Sequence, residues 1–240
     1  MDLNTQLALN FELRDEANFD NFFIGSHTEL LHALQNTLYG EGEKVIVLCG
    51  SHGSGKTHLL QALCNAASHQ NLATIYLPLQ DLMSEQPEML EGLEKLSIVC
   101  IDDLQYIAGE PAWETAILEF MQKIRQRGHY LIVTAHLPVR DITLFSPKLA
   151  CALEESAVYQ IQALSEPEKT QTLIQRARLR GLYLSLPVAK YLINHGPKDM
   201  HSLFATLETL DKASLQAQRR LTIPFIKQVL LDIPVLQAQV

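Results

Sequence analysis

The chain has 240 residues, 47% of them hydrophobic and 19% charged, which is ample material for one large domain or a domain with a small satellite and excludes global disorder. Lys and Arg number 19 against 27 Asp and Glu, a formal net charge of −8 that argues against holding duplex DNA by phosphate neutralisation. The four cysteines (Cys49, Cys64, Cys100, Cys151) form no CxxC pair, no HExxH occurs, and no uncharged apolar run is long enough to span a bilayer.

In chain order, residues 1–20 form a polar, acidic lead-in with an apolar cluster at Leu7, Leu9 and Phe11. It lacks the basic start and apolar core of a secretory signal, so a cytoplasmic protein without membrane contact is expected. Leu30, Leu31, Leu34 and Leu38 predict a helix. Val45–Cys49 (VIVLC) predicts a buried strand ending at Gly50, and Leu59, Leu60, Leu63 and Ala67 predict a helix after the glycine-rich loop. Ile75–Leu77, Ile98–Ile101, Tyr130–Val133 and Val158–Ile161 are further strand candidates. Trp113 opens a helix with Ile117, Phe120, Met121 and Ile124 on its apolar face. Short apolar runs separated by helices predict a five-stranded parallel sheet covered on both faces, a three-layer α/β domain.

After Ser165 the pattern becomes all-helical: Glu166–Arg180, Leu186–Asn194, Asp199–Gln216 and Ile223–Leu230 read as helices punctuated by Gly181, Pro187, Gly196 and Pro197. The expected organisation is a lead-in over 1–17, an α/β domain over 18–164, a helical domain over 165–232 and a tail over 233–240. Arg176, Arg178 and Arg180 near a helix end read as a solvated face complementing the helix dipole.

The strongest motif is Gly50-Ser51-His52-Gly53-Ser54-Gly55-Lys56-Thr57, a match to GxxxxGK[ST]. Chance would produce it in roughly one such chain in a hundred, and here a predicted strand runs into it and a predicted helix leaves it. Glycines let successive N–H groups curl toward a phosphate, and the helix N-terminus adds partial positive charge. Lys56 is expected to meet the β- and γ-phosphates of ATP or ADP, and Thr57 to ligate Mg²⁺. His52 and His58 flank the loop; His58 is counted with Gly50, Gly53, Ser54 and Gly55 among the nucleotide-contacting positions, although a flanking histidine reads more simply as loop filler.

Ser97–Asp103 supplies the partner carboxylates: a strand delivering Asp102 to the metal and Asp103 to orient or deprotonate an attacking water. A strand intervening between the two motifs (Thr74–Pro78) predicts that the carboxylate strand does not neighbour the loop strand, the ordering of the additional-strand, RecA-like branch of P-loop folds.

With these residues in hand, the chain resembles the DnaA family of AAA+ ATPases, and within it the shorter, regulatory Hda-type members. Asn18–Gly25 (NFDNFFIG) is similar to the family's "TFDNFVxG" entry segment, which implies that Phe22 and Ile24 lie against adenine. Ile101–Gln105 (IDDLQ) is similar to its "IDDIQ". Gln175–Gly181 and Gln218–Phe225 look like the Hda type. The resemblance implies an AAA+ nucleotide domain with a helical lid and action on the DnaA initiator together with the DNA polymerase sliding clamp (β subunit). It also implies self-association as a dimer, while leaving a homodimer or a mixed assembly with the initiator open. Gln6-Leu7-Ala8-Leu9-Asn10-Phe11 is similar to the clamp-binding peptide QL-x-L-x-[LF]; a strand could seat Leu9 and Phe11 in an apolar pocket while Gln6 hydrogen-bonds at its rim. The chain stops at Val240 without the initiator's helix-turn-helix region, so autonomous sequence-specific DNA binding is not expected.

Three positions depart from the family pattern. Ala152 stands where an arginine finger is expected, His136 in Thr134-Ala135-His136 replaces an acidic residue, and Lys198 replaces a lid arginine. Alanine cannot neutralise developing phosphoryl charge, and lysine lacks the planar fork that grips phosphate oxygens. Slow or absent intrinsic hydrolysis follows, with Arg140 the nearest substitute arginine. A DnaC-like helicase loader is the alternative, disfavoured by the −8 charge; a small-molecule kinase lacks an acceptor site and a lid arginine cluster.

Overall fold

The structure is a computed structural model that describes residues 17–22, 27–197 and 199–231. The positions Gln6, Leu7, Leu9, Phe11, Ile24 and Lys198 lie outside the described residues. Two compact units emerge, one extending to Ile161 and one from Gln162 onward, with His52–Ser54 of the glycine-rich loop grouped with the second.

The first unit is built on five parallel strands: β1 (Val45–Gly50), β2 (Thr74–Pro78), β3 (Ile98–Asp102), β4 (Tyr130–Ala135) and β5 (Ala157–Ile161), in the order β2-β3-β4-β1-β5. β4 separates the loop strand β1 from the carboxylate strand β3, as the intervening strand predicts. The three inner strands are buried at every position, which is why their sequences are continuously apolar. The edge strands β2 and β5 are only half-buried.

Alternation along the strands sorts the core into two layers. Ile46, Leu48, Cys100 and Ile132 pack with Leu30 and Leu34 of α1 (Thr28–Thr37) and Leu59 and Leu63 of α2 (Lys56–His69). Val47, Val99, Ile101 and Val133 pack with Trp113, Ile117, Phe120 and Met121 of α4 (Pro111–Arg127) and Leu149 and Leu153 of α5 (Pro147–Glu154). Trp113 and Met121 are core residues, and Cys49 and Cys100 are buried free thiols. The four-residue helix α3 (Leu79–Leu82) and α5 are additions to the sequence-derived plan. Each is too short for a 3.6-residue period to register, and α5 is declared instead by its N-cap, where Ser146 Oγ accepts from the Leu149 N–H at 3.3 Å before Pro147.

The second unit consists of α6 (Glu166–Leu179), α7 (Leu186–His195), α8 (Met200–Ala217) and α9 (Ile223–Leu231) around Leu173, Leu192, Leu207, Leu210 and Ile226. Its helix starts are encoded locally. The Ser165 N–H donates to Glu168 Oε2 at 2.8 Å ahead of α6, and Asp199 Oδ1 accepts from the Ser202 N–H at 2.8 Å ahead of α8. The arginine triplet is corrected in one member. Arg176 is half-buried with its guanidinium 5.4 Å from the Phe204 ring centre, a cation–π packing contact rather than a solvated face.

One buried carboxylate fixes how α5 begins. Glu114 on α4 is fully buried and accepts from three main-chain N–H groups, those of Gly109 (2.9 Å), Phe145 (2.9 Å) and Ser146 (2.6 Å). It therefore satisfies donors from two separate loops with one side chain. Replacing it by alanine leaves three partly buried donors without this acceptor, so Glu114→Ala is expected to lower unfolding stability by about 2 kcal/mol in urea titrations. A loss under about 1 kcal/mol would show that water replaces the carboxylate.

Candidate functional site

The loop after β1 takes its curl from glycines in left-handed backbone. Gly53 has φ 74° and Gly55, the N-cap of α2, has φ 98°. A Cβ on Gly55 would sit 2.8 Å from Cε2 of Phe22, so the position is closed to any other residue on both conformational and steric grounds. Lys56 is buried, and its ammonium donates to the carbonyls of Gly50 (2.7 Å) and Ser51 (3.0 Å). An ammonium has three hydrogens, so one remains for an anion. Burial depresses the Lys56 pKa, and the carboxylates of Asp103 and Asp102 oppose that loss of charge. Ser54 is also buried, and its hydroxyl has no hydrogen-bond partner, an orphaned donor inside a loop of inward-facing amides.

At the C-terminal end of β3, Asp102 is 3% exposed and gathers three hydroxyls. Thr57 Oγ1 at the start of α2 donates to Oδ2 at 2.7 Å, Tyr76 on β2 donates to the same oxygen at 2.8 Å, and Thr134 on β4 donates to Oδ1. Burial raises the Asp102 pKa above the ordinary carboxylate value; the Thr134, Thr57 and Tyr76 hydrogen bonds pull it down, and Asp103 pushes it up further. Because Thr57 commits its proton to Asp102, its oxygen lone pairs are free for a cation. Hydroxyl and carboxylate oxygens suit Mg²⁺, which also keeps waters and takes phosphate oxygens. In keeping with so sparse a donor set, no group of three or more His, Cys, Asp or Glu residues able to hold a metal occurs among the described residues.

Asp103 leaves the strand in left-handed backbone, φ 63°, unusual for a residue other than glycine. That turn is held on both sides: its N–H donates to Thr134 Oγ1 at 2.8 Å, and its Oδ1 accepts from Gln105 Nε2 at 2.9 Å. Gln105 Oε1 in turn accepts from the His136 N–H at 3.2 Å. The side chain at the tip of β4 that reaches the carboxylate pair is Thr134; His136 is exposed and joins through its main chain. Tyr76, Thr134 and Gln105 are site residues to which the sequence reading assigns no role, although Gln105 closes the IDDLQ motif and Thr134 opens the Thr134-Ala135-His136 triplet. For Tyr76 the only sequence signal is a polar atom near the C-terminal end of a predicted strand, where α/β sheets bind ligands.

The entry segment closes on α2. His58 Nε2 donates to the Asn18 carbonyl at 3.1 Å, Asn65 Nδ2 donates to the Ala17 carbonyl at 2.9 Å, and the Phe22 and His58 rings stack with centres 6.1 Å apart. His58 is thus a structural tie for this segment rather than loop filler. Ala152 lies on α5, partly buried against the core, and its carbonyl accepts from Ser156 Oγ at 2.7 Å. Arg140 is exposed, with Nε 3.9 Å from the neighbouring Asp141 carboxylate.

The bacterial DnaA ATPase domain family matches residues 13–160, more than half of the chain. The chain belongs to this DnaA family. Its helical part matches the Hda lid domain over residues 166–230, which makes it a DnaA-family AAA+ protein close to Hda. Among solved structures, domain III of the Thermotoga maritima replication initiation protein DnaA superposes with a TM-score of 0.76 at 19% identity, covering 92% of this chain and 98% of that one. AMPPCP-bound DnaA from Aquifex aeolicus gives 0.73 at 20% identity over 84% and 67%. The Thermotoga maritima RuvB Holliday junction branch migration motor gives 0.68 at 13% identity over 91% and 72%. At these identities the structural likeness speaks for the AAA+ fold alone. Among the described residues no helix is long and apolar enough to cross a membrane.

The raised Asp102 pKa makes a signed prediction. Well below the ordinary carboxylate value of about 3.9 the group is neutral in both folded and unfolded chains. As pH rises from there through the raised folded value, the unfolded chain has already ionised while the fold holds its proton, so stability falls and stays lower above that window. Asp102→Asn removes this loss. In nucleotide- and metal-free protein its melting temperature is expected to exceed wild type at pH 7 and to converge with it toward pH 4; a variant that melts lower at pH 7 would contradict the burial argument.

Proposed function

We propose that this chain is a nucleotide-binding regulator of chromosomal replication initiation that acts on DnaA together with the sliding clamp and hydrolyses ATP slowly or not at all. The observation that carries the nucleotide half is an ammonium with one hydrogen still uncommitted, in the same loop as an orphaned hydroxyl and next to a threonine whose lone pairs are kept free by Asp102. Membership in the DnaA family supports an adenine nucleotide as the ligand and DnaA as the partner. The AMPPCP found in the Aquifex aeolicus relative agrees with that class.

In this reading the loop amides of residues 50–57 and the Ser54 hydroxyl cradle the phosphates while Lys56 donates its remaining hydrogen to them. Thr57 and Asp102 hold the magnesium. Bound Mg²⁺ supplies charge neutralisation between phosphate oxygens. Phe22, Ile24 and Lys198 are further nucleotide contacts in this reading, on the strength of the family pattern alone. Asp103, fixed by Gln105 and by Thr134, orients a water or takes its proton. Slow turnover follows because Ala152 offers no charge to a neighbouring subunit's phosphate, where an arginine is worth about 10³–10⁵ in rate. The acidic chain meets DNA through its partners, and Gln6, Leu7, Leu9 and Phe11 dock on the clamp.

Calorimetry with ADP and ATP in magnesium should show binding that Lys56→Ala weakens roughly 10- to 100-fold, the loss of charge-assisted hydrogen bonds to phosphate. No heat and no melting shift with either nucleotide would end the nucleotide reading. Turnover by the isolated protein should be about one per minute or slower, as in P-loop sites without an arginine. For the partner half, a clamp pull-down should retain wild type and lose the Gln6→Ala, Leu9→Ala double variant; equal retention would remove the peptide from the mechanism.

A further inference from the structure

Tyr76 is the one hydroxyl on Asp102 to which the nucleotide reading assigns no task. It sits on edge strand β2 with its backbone in register with Cys100, two residues before Asp102 on β3. This places its ring on the α2 face of the sheet, packed against the α1/α2 core layer. There its hydroxyl donates to Oδ2, the oxygen that also accepts from Thr57. The phenol and the first turn of α2 thus meet on one carboxylate oxygen, Tyr76 from the sheet edge and Thr57 from the helix.

A carboxylate offers about four acceptor sites, and the three hydroxyls occupy three of them. Held at both oxygens, the group cannot rotate without losing a bond. A fixed Oδ2 in turn fixes the torsion of the Thr57 hydroxyl, and with it the direction of its lone pairs.

Resting on the nucleotide-binding reading above, we propose that Tyr76 is a positioning residue for the metal half of the site: it holds Asp102 so that Thr57 presents its oxygen to Mg²⁺. Removal of the phenol oxygen frees the carboxylate to turn and spares the contacts made by Lys56 and the loop amides. The magnesium-dependent part of nucleotide affinity should fall, and the magnesium-independent part should stay.

The test titrates ADP into the full-length protein in saturating magnesium and again in EDTA, for wild type and Tyr76→Phe, with a melting curve for each metal-free protein. The expected result is a roughly tenfold smaller magnesium gain in Tyr76→Phe, the size typical of groups that orient metal ligands, with EDTA affinity within about twofold of wild type. A Tyr76→Phe protein with an undiminished magnesium gain, or one that loses EDTA affinity by the same factor, overturns the proposal while leaving nucleotide binding intact. Wild-type protein that binds ADP with no magnesium gain removes the metal reading and this role together; wild type that binds no ADP removes the nucleotide reading itself.

Discussion

The proton that Thr57 gives to Asp102 ties the first turn of α2 to the last residue of β3, two elements separated in the sheet by β4. Its 2.7 Å length is therefore a report on register. β1 sets where the loop and α2 begin, β4 pairs β1 through Val47 and Val133, and β3 pairs β4 through Ile101 and Val133. Slip of one residue in either pairing would turn Asp102 to the α4 side of the sheet, since strand side chains alternate faces. The buried, unbroken apolar runs of β1, β3 and β4 are what hold that register, because any slip exchanges the two core layers.

Around this bond the fold concentrates features that cost stability. Asp102 is desolvated, Lys56 is buried with a depressed pKa, Ser54 lacks a hydrogen-bond partner, and Asp103 occupies left-handed backbone. Elsewhere in the first unit a buried charge is well satisfied: Glu114, equally out of water, has three main-chain donors. The contrast is informative, since local rules are broken where a ligand is to be received and kept where only the scaffold is served.

The region that departs from the family pattern is not poorly built. α5 has a proper N-cap, its start is clamped by Glu114, and Leu149 and Leu153 are fully buried. Ala152 therefore sits on a well-formed helix, partly buried against the core.

How much of this was legible in the sequence depends on the range of the physics involved. Five parallel strands, the phosphate loop at the end of the first, the paired carboxylates at the end of the third and an all-helical C-terminal part follow from local periodicity and contiguous motifs, as does the resemblance to the DnaA family. α3 escaped because two apolar residues make no period, and α5 because its apolar run Leu149–Leu153 is unbroken and marks no face. Two hydroxyl partners of Asp102 escaped for a different reason: Tyr76 and Thr134 share no spacing with it, and only strand order and register bring them to one point. Sequence alone determined which side chains could hold a phosphate and a metal, because that chemistry is carried by adjacent residues. Which hydroxyls bond to Asp102, how far it is removed from water and where Asp103 is pointed were decided by the tertiary structure, since hydrogen bonds between strand ends exist only once the sheet has set their distances.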